Sequence, residues 1–159
     1  VLHQGFGLFP GMLAQCVLRV AAFIDVVTHE QNKIERLLRN LLSNAVEHGE
    51  GKPIVVEVGS NAQAVAVCVT DLGVGMTKQQ LERIFDRFWR ADPARQRSVG
   101  GTGLGLAISK EDAILHRGWL QVWSKPNRGS SFRLTLPKRA DAVIASSPLP
   151  LPPRTMEGS

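Results

Sequence analysis

Asn40 and Asn44 stand four residues apart in a stretch with helical periodicity, so they share a face, and Arg36 and His48 extend the row. An amide oxygen is a hard, neutral ligand, suited to a magnesium ion that also holds phosphates. On spacing alone, a solvated helix edge is the better account. Asp71 ends a valine-rich run and opens Asp71-Leu-Gly-Val-Gly75. A carboxylate there can accept a hydrogen bond from an exocyclic amine such as that of adenine. Gly73 and Gly75 would let the backbone approach a flat ring closely. A strand-ending turn, which Asp and Gly favour anyway, explains the same residues. Gly101-Thr-Gly-Leu-Gly-Leu106 leads directly into a helical pattern. Unpaired amides at a helix start, preceded by glycines, form a natural phosphate cradle. A polar loop precedes these glycines and their spacing is not G-x-G-x-x-G, which argues against a dinucleotide fold; the P-loop pattern with its lysine is absent too. Arg87, Arg90, Arg95 and Arg97 surround this run. They could draw phosphates in, and a solvated basic loop accounts for them equally well. Phe85, Phe88 and Trp89 read as core or hinge packing.

These groups need elements to hold them. Thr28 with Gln31 has capping-box spacing and predicts a helix start. Ile34, Leu37, Leu38, Leu41, Leu42, Ala45 and Val46 give that helix one apolar face, and Gly49 and Gly51 end it. Strands are predicted at 53–58 and 64–70, joined by a turn at 59–61 into a hairpin. Thr77 with Gln80 repeats the capping-box spacing and opens a short helix to Phe85. Residues 86–103 read as a functional loop. A helix follows over 104–117, with Gly118 at the left-handed C-cap position. Strands at 119–124 and 131–136 flank a turn at 126–129. Trp119 and Trp123 share one face of the first of these. Gly5, Gly7, Pro10 and Gly11 interrupt any early element, and residues 12–27 suit a helix or a strand pair equally. From 139 onward, serines and prolines predict a flexible tail.

The chain has 159 residues, enough for one domain with a real core, and its 43% hydrophobic and 21% charged content is ordinary for a globular protein. A net charge of +5 permits an anionic partner without choosing one. The positive charge is spread along the chain and no nucleic-acid recognition motif occurs, so nucleic acid is not expected as a partner. The most apolar stretch, 8–27, contains Arg19 and Asp25, which argues against a membrane span. Cys16 and Cys68 lack metal-ligand spacing. Cys68, between Val67 and Val69, reads as a buried strand thiol, which fits a reducing cytosol; a disulfide stays open.

Taken in order, Asn40/Asn44, Asp71-x-Gly-x-Gly75, Phe85-Asp-Arg-Phe88 and Gly101-x-Gly-x-Gly-Leu106 resemble the N, G1, F and G2 boxes of the ATP-binding catalytic domain of sensor histidine kinases. That domain has the GHKL, or Bergerat, fold shared with the gyrase, Hsp90 and MutL ATPases. The resemblance covers roughly residues 30–137. The runs 85–95 and 100–109, with Glu47-His-Gly-Glu-Gly51, are similar to actinobacterial MtrB-type kinases. The resemblance implies a two-layer α/β sandwich, a mixed sheet covered on one face by about three helices. It divides the chain into an atypical segment 1–27, a catalytic domain 28–138 and a tail 139–159.

It also implies ATP and Mg2+ as cofactors. Asn40 would coordinate the metal, Asn44 would support the phosphates and His48 would lie near the nucleotide. Asp71 would bind the adenine amino group, with Gly75 and Met76 along the base. Residues 90–102 would form an ATP lid that begins with Arg90, and Thr102, Gly103, Leu104, Gly105 and Leu106 would wrap the phosphates. Gly73 and Gly101 complete the expected cofactor-binding set. Glu47 falls where many members carry Lys or Arg, so a phosphate contact is not implied there. Hydrolytic relatives carry a Glu four residues before the second Asn as general base. Here that position is Asn40, whose amide cannot take a proton, which favours phosphoryl transfer to a protein nucleophile.

His29-Glu30 lacks the Arg-Thr-Pro continuation of a phosphoacceptor motif and reads as a helix-start histidine. The acceptor is therefore expected on a histidine-bearing dimerisation hairpin outside this chain, with a cognate response regulator downstream. The chain reads as a fragment or truncated copy, cytoplasmic, without a span of its own. The alternatives are a degenerate ATP-binding module without transfer activity, and a related GHKL ATPase or Ser kinase.

Overall fold

The computed structural model describes residues 3–8, 20, 22, 33–91 and 103–153. Five strands form one sheet: β1 (His3–Leu8), β2 (Ile54–Ser60), β3 (Ala64–Asp71), β4 (Trp119–Lys125) and β5 (Gly129–Pro137). Helices α1 (Lys33–His48), α2 (Lys78–Arg83) and α3 (Gly105–Leu115) pack with it. The strand order is β1-β2-β3-β5-β4.

The α/β sandwich is as expected, but every pairing among the described residues is antiparallel, so the sheet is not mixed. Hairpins β2–β3 and β4–β5 explain this: short turns return each chain beside itself, and β3 then pairs antiparallel with β5. The glycines at 5 and 7 do not prevent a strand. Gly5 and Gly7 sit in β1, in register with Glu57 and Val55 of β2. The expectations for the helix start at Thr28, for His29 and for most of 12–27 lie outside the described residues.

The core forms where the period of α1 meets the alternation of the strands. Ile34, Leu37, Leu38, Leu41, Leu42 and Ala45 are buried against Ile54 and Val56 of β2, Val65, Val67 and Val69 of β3, and Phe132, Leu134 and Leu136 of β5. Each such leucine contributes on the order of 2 kcal/mol by leaving water. Val46, expected on the same face, is exposed.

The opposite sheet face carries Ala66 and Cys68, and all eight residues of β3 are buried. What covers that face is the segment expected to be a flexible tail. Leu149 is 2% exposed and clusters with Ala66 and Cys68. Arg133 donates to the Leu149 carbonyl, and Thr135 donates to Ser147 Oγ at 2.8 Å. The expectation of flexibility is therefore corrected for residues 139–153. Prolines forbid a further strand, but they also restrict the free segment, so docking it costs less entropy. Gly59 makes room: a Cβ there would stand 2.7 Å from Leu149 Cδ2. Beneath this cover Cys68 is a free thiol pushed up by burial to about 12, an inert strand cysteine as expected.

Local signals are mostly confirmed. The capping box at α2 is complete, with Gln80 N–H donating to Thr77 Oγ1 at 3.2 Å and Thr77 N–H donating to Gln80 Oε1 at 2.8 Å. At the end of α3 the left-handed residue is Arg117 (φ 56°), not Gly118. Gly118 is needed for approach instead: a Cβ there would lie 2.4 Å from the Thr135 carbonyl oxygen. No described helix is long and apolar enough to cross a membrane.

Candidate functional site

Burying one face of α1 in the core turns the opposite edge outward. Asn40, Ser43, Asn44, Glu47 and His48 lie along that edge and line a cleft of about 580 Å³. Its other walls come from Val74, Gly75 and Met76 of the first glycine loop, from α2, from Trp89–Ala91, and from Gly103, Gly105 and Leu106 at the start of α3. Concave sites of this size, with a few polar groups on a largely apolar lining, suit a small ligand.

Two contacts hold α1 against α3. Arg36 Nη2 meets Asp112 Oδ2 at 2.6 Å, with the Asp side chain 7% exposed. Asn40 Nδ2 donates to the Gly105 carbonyl and to Ser109 Oγ, both at 3.2 Å. With its nitrogen engaged by two acceptors, the Asn40 amide keeps its oxygen as the atom available to a ligand. Leu104, at the N-cap of α3, offers no side-chain hydrogen bond to the first turn. The first turn of α3 therefore has no N-cap side-chain partner among the described residues, the arrangement that favours an anion at the cleft wall.

The first glycine loop is clamped from both sides. Val74 N–H donates to the His48 carbonyl at 3.3 Å, Asn127 N–H to the Val74 carbonyl at 2.7 Å, and Met76 N–H to Ser124 Oγ at 2.8 Å. A Cβ on Gly73 would fall 1.8 Å from the His48 carbonyl oxygen, and one on Gly75 (φ +64°) 1.9 Å from that of Lys125. These glycines answer to neighbouring backbone, a sterner demand than the ligand approach expected of them.

Asp71 sits behind this wall, 1% exposed, its Oδ1 accepting from Gly73 N–H at 2.9 Å. Burial raises its pKa above the ordinary carboxylate value; the Gly73 and Ser130 amides and the His48 side chain oppose that rise, and Glu50 adds to it. Ser130, the register partner of Asp71 on β5, does reach the cleft.

Of the residues expected to bind cofactor, Asn40, Asn44, His48, Gly75, Met76, Arg90, Gly103, Gly105 and Leu106 line the cleft together. Asp71, Gly73 and Leu104 are not on its lining. Gly101 and Thr102, with most of the expected lid, lie outside the described residues. The three aromatics read as core or hinge packing separate: Phe85 packs on the core, Phe88 is 72% exposed and Trp89 lines the cleft. The backbone divides them. Phe88 takes a left-handed φ of 63° and its N–H donates to the Gly103 carbonyl at 3.0 Å, which brings residues 88 and 103 together. No residue type at 88 signals that turn.

Sequence reasoning did not place Glu47 in a contact. Its Oε1 meets Arg90 Nη2 at 3.4 Å, with the two side chains 25% and 15% exposed. Its position three residues after Asn44, on the same helix edge, was the available signal. Glu47 is the one carboxylate among the described lining residues. No group of three or more His, Cys, Asp or Glu able to hold a metal occurs among the described residues. A cation here would rest on amide oxygen and on the ligand it accompanies.

The fold and these residues have close parallels. A Mycolicibacterium paratuberculosis protein (strain ATCC BAA-968 / K-10), the sensor histidine kinase MtrB, is 50% identical over 124 residues, covering 78% of this chain and 22% of that protein. The sensor-like histidine kinase SenX3 of Mycobacterium bovis (strain ATCC BAA-935 / AF2122/97) is 41% identical over 117 residues, covering 73% of this chain and 28% of SenX3. The chain thus spans between a fifth and a third of the length of these relatives. The solved structure of the mycobacterial sensor histidine kinase MprB superposes with a TM-score of 0.60 at 22% identity, over 84% of this chain and 97% of that one, a likeness of fold. Residues 29–140 match the family described as histidine kinase-, DNA gyrase B- and HSP90-like ATPase, and these include both glycine loops and the α1 edge. The chain therefore belongs to the histidine kinase-, DNA gyrase B- and HSP90-like ATPase family.

Proposed function

We propose that this chain is the ATP-binding catalytic domain of a sensor histidine kinase. In this reading the cleft holds ATP with Mg2+ and presents the γ-phosphate to a histidine outside the chain. The observation that carries it is the convergence of Asn40 and Asn44 with the uncapped start of α3 and with Gly75–Met76 around one cleft. Asn40 would supply an amide oxygen, a hard ligand suited to magnesium, and Asn44 would support the phosphates. Bound there, the ion would neutralise phosphate charge. The α3 amides and Arg90 would orient the phosphates, and Gly75 and Met76 would flank the base, with Asp71 directing it from behind.

Transfer is favoured over hydrolysis because Asn40, which lines the cleft, stands where hydrolytic relatives would carry a general-base Glu, and an amide cannot take a proton from water. Phosphoryl transfer then proceeds by positioning and charge neutralisation, which is what this site offers. The acceptor histidine, borne on a helical hairpin, and a cognate response regulator are the proposed partners, in a cytoplasmic setting.

Incubation with γ-labelled ATP, magnesium and a separately supplied histidine hairpin tests the reading. Label on the hairpin histidine is expected. ATP binding with no label on any hairpin would reduce the chain to a nucleotide-binding module, and rapid release of free phosphate would make it an ATPase.

A further inference from the structure

Arg90 and Glu47 meet on the lining of the cleft, one from the segment after α2 and one from the last turn of α1. Both line the cavity, and both are largely withdrawn from solvent. A partly buried pair is screened less than a surface pair, so its charges are felt within the cleft. The cleft is otherwise arranged for anions, with first-turn amides of α3 lacking a side-chain cap. A carboxylate in such a place opposes the arrangement around it, and its position on the Asn40–Asn44 edge keeps it there.

Resting on the nucleotide reading above, we propose that Glu47 is an internal competitor for Arg90, a specificity-determining residue that occupies the guanidinium until the phosphates of a nucleoside triphosphate displace it. A guanidinium binds phosphate oxygens bidentately and strongly, and a triphosphate carries several charges against one on Glu47. The exchange therefore runs toward the nucleotide. The displaced carboxylate is left beside the phosphates, and this repulsion weakens the hold on the bound nucleotide. Glu47 thus sets how tightly the cleft grips the polyphosphate and leaves its hold on the base unaffected.

The test compares MgATP, MgADP and adenosine binding, by calorimetry, in the full chain and in Glu47→Gln, Glu47→Asp, Arg90→Gln and the Glu47→Gln/Arg90→Gln pair. Glu47→Gln keeps shape and removes charge. It is expected to tighten MgATP about fivefold and MgADP less, and to leave adenosine within about twofold. Glu47→Asp, which retains the charge, is expected to stay near the parent. Arg90→Gln should cost more MgATP affinity in the Glu47→Gln background than in the parent, because Glu47 then no longer competes with the phosphates for Arg90. A purely structural role for Glu47 would move ATP and adenosine together. That result, or weaker or unchanged MgATP binding in Glu47→Gln, overturns the proposal while leaving the ATP site in place. Failure of the parent chain to bind any nucleotide overturns both. Circular-dichroism melts confirm that each variant folds; if Glu47→Gln does not, Glu47→Ala replaces it with the same expectation.

Discussion

The two glycine-rich loops of the cleft are built on opposite principles. The first, Asp71–Met76, is a fixed wall. Its glycines lie against the His48 and Lys125 carbonyls, its carboxylate is buried behind it, and Thr77 caps the helix that follows. The second lies against the Phe88 backbone at Gly103 (φ +71°) but is open from Gly105 into α3. A Cβ on Gly105 would meet nothing nearer than the Asn40 side chain at 3.7 Å, and the helix that follows has no side-chain cap. The N–H groups of Gly73, Val74 and Met76 in the first loop are met by protein. The second leaves amides for something else to meet. Glycine content alone does not distinguish a structural loop from a ligand-presenting one; the neighbours of the missing Cβ do.

The largest consequence falls on the first loop. Gly73→Ala places a methyl carbon 1.8 Å from a carbonyl oxygen that ends α1. It is expected to destabilise by about 3 kcal/mol in urea unfolding, with nucleotide binding lost as a result of misfolding. A stable Gly73→Ala variant would show that this loop is not a rigid wall.

Asp71→Asn should separate binding from stability. Losing the carboxylate is expected to weaken ATP by about 1.5–3 kcal/mol, the usual range for a hydrogen bond to a charged group. Stability should move the other way. Burial raises the folded pKa of Asp71 above its ordinary 3.8. As pH climbs from that value through the folded one, the native state keeps a proton the unfolded chain has lost, so stability falls with rising pH. The deficit is complete above the folded pKa and absent well below 3.8. The melting-temperature advantage of Asp71→Asn over the parent should therefore grow as pH rises across that window. Unchanged ATP affinity would remove Asp71 from the site.

Smaller effects probe the caps and the open loop. Thr77→Ala removes one half of a reciprocal cap and is expected to cost about 1 kcal/mol in thermal unfolding. Gly105→Ala is expected to alter stability by no more than about 0.5 kcal/mol while lowering ATP affinity. Equal losses of stability and affinity at Gly105 would mean that the second loop, too, is shaped by its own protein neighbours.

Much of this was legible in the residues. The period of Ile34–Ala45 predicted α1, the valines predicted β2 and β3, and the Thr77–Gln80 pair predicted its cap. The order of the asparagines and glycines predicted one site, and nine of the expected residues share the cleft. Local signals failed where the deciding partner is distant in sequence. Nothing near residue 149 announces that a leucine will dock beside Cys68 over Gly59. Nothing near Phe88 announces a hydrogen bond to Gly103.

The sequence by itself determined the elements other than β1, and the chemistry of the α1 edge, because helical and strand periods and capping pairs act over a few residues. Tertiary structure alone decided that the sheet is antiparallel, that the tail covers its second face, that Asp71 stands behind the cleft rather than on it, and that Glu47 holds Arg90. Burial, close approach and ion pairing are properties of pairs brought together by packing, and no single stretch of chain contains both members.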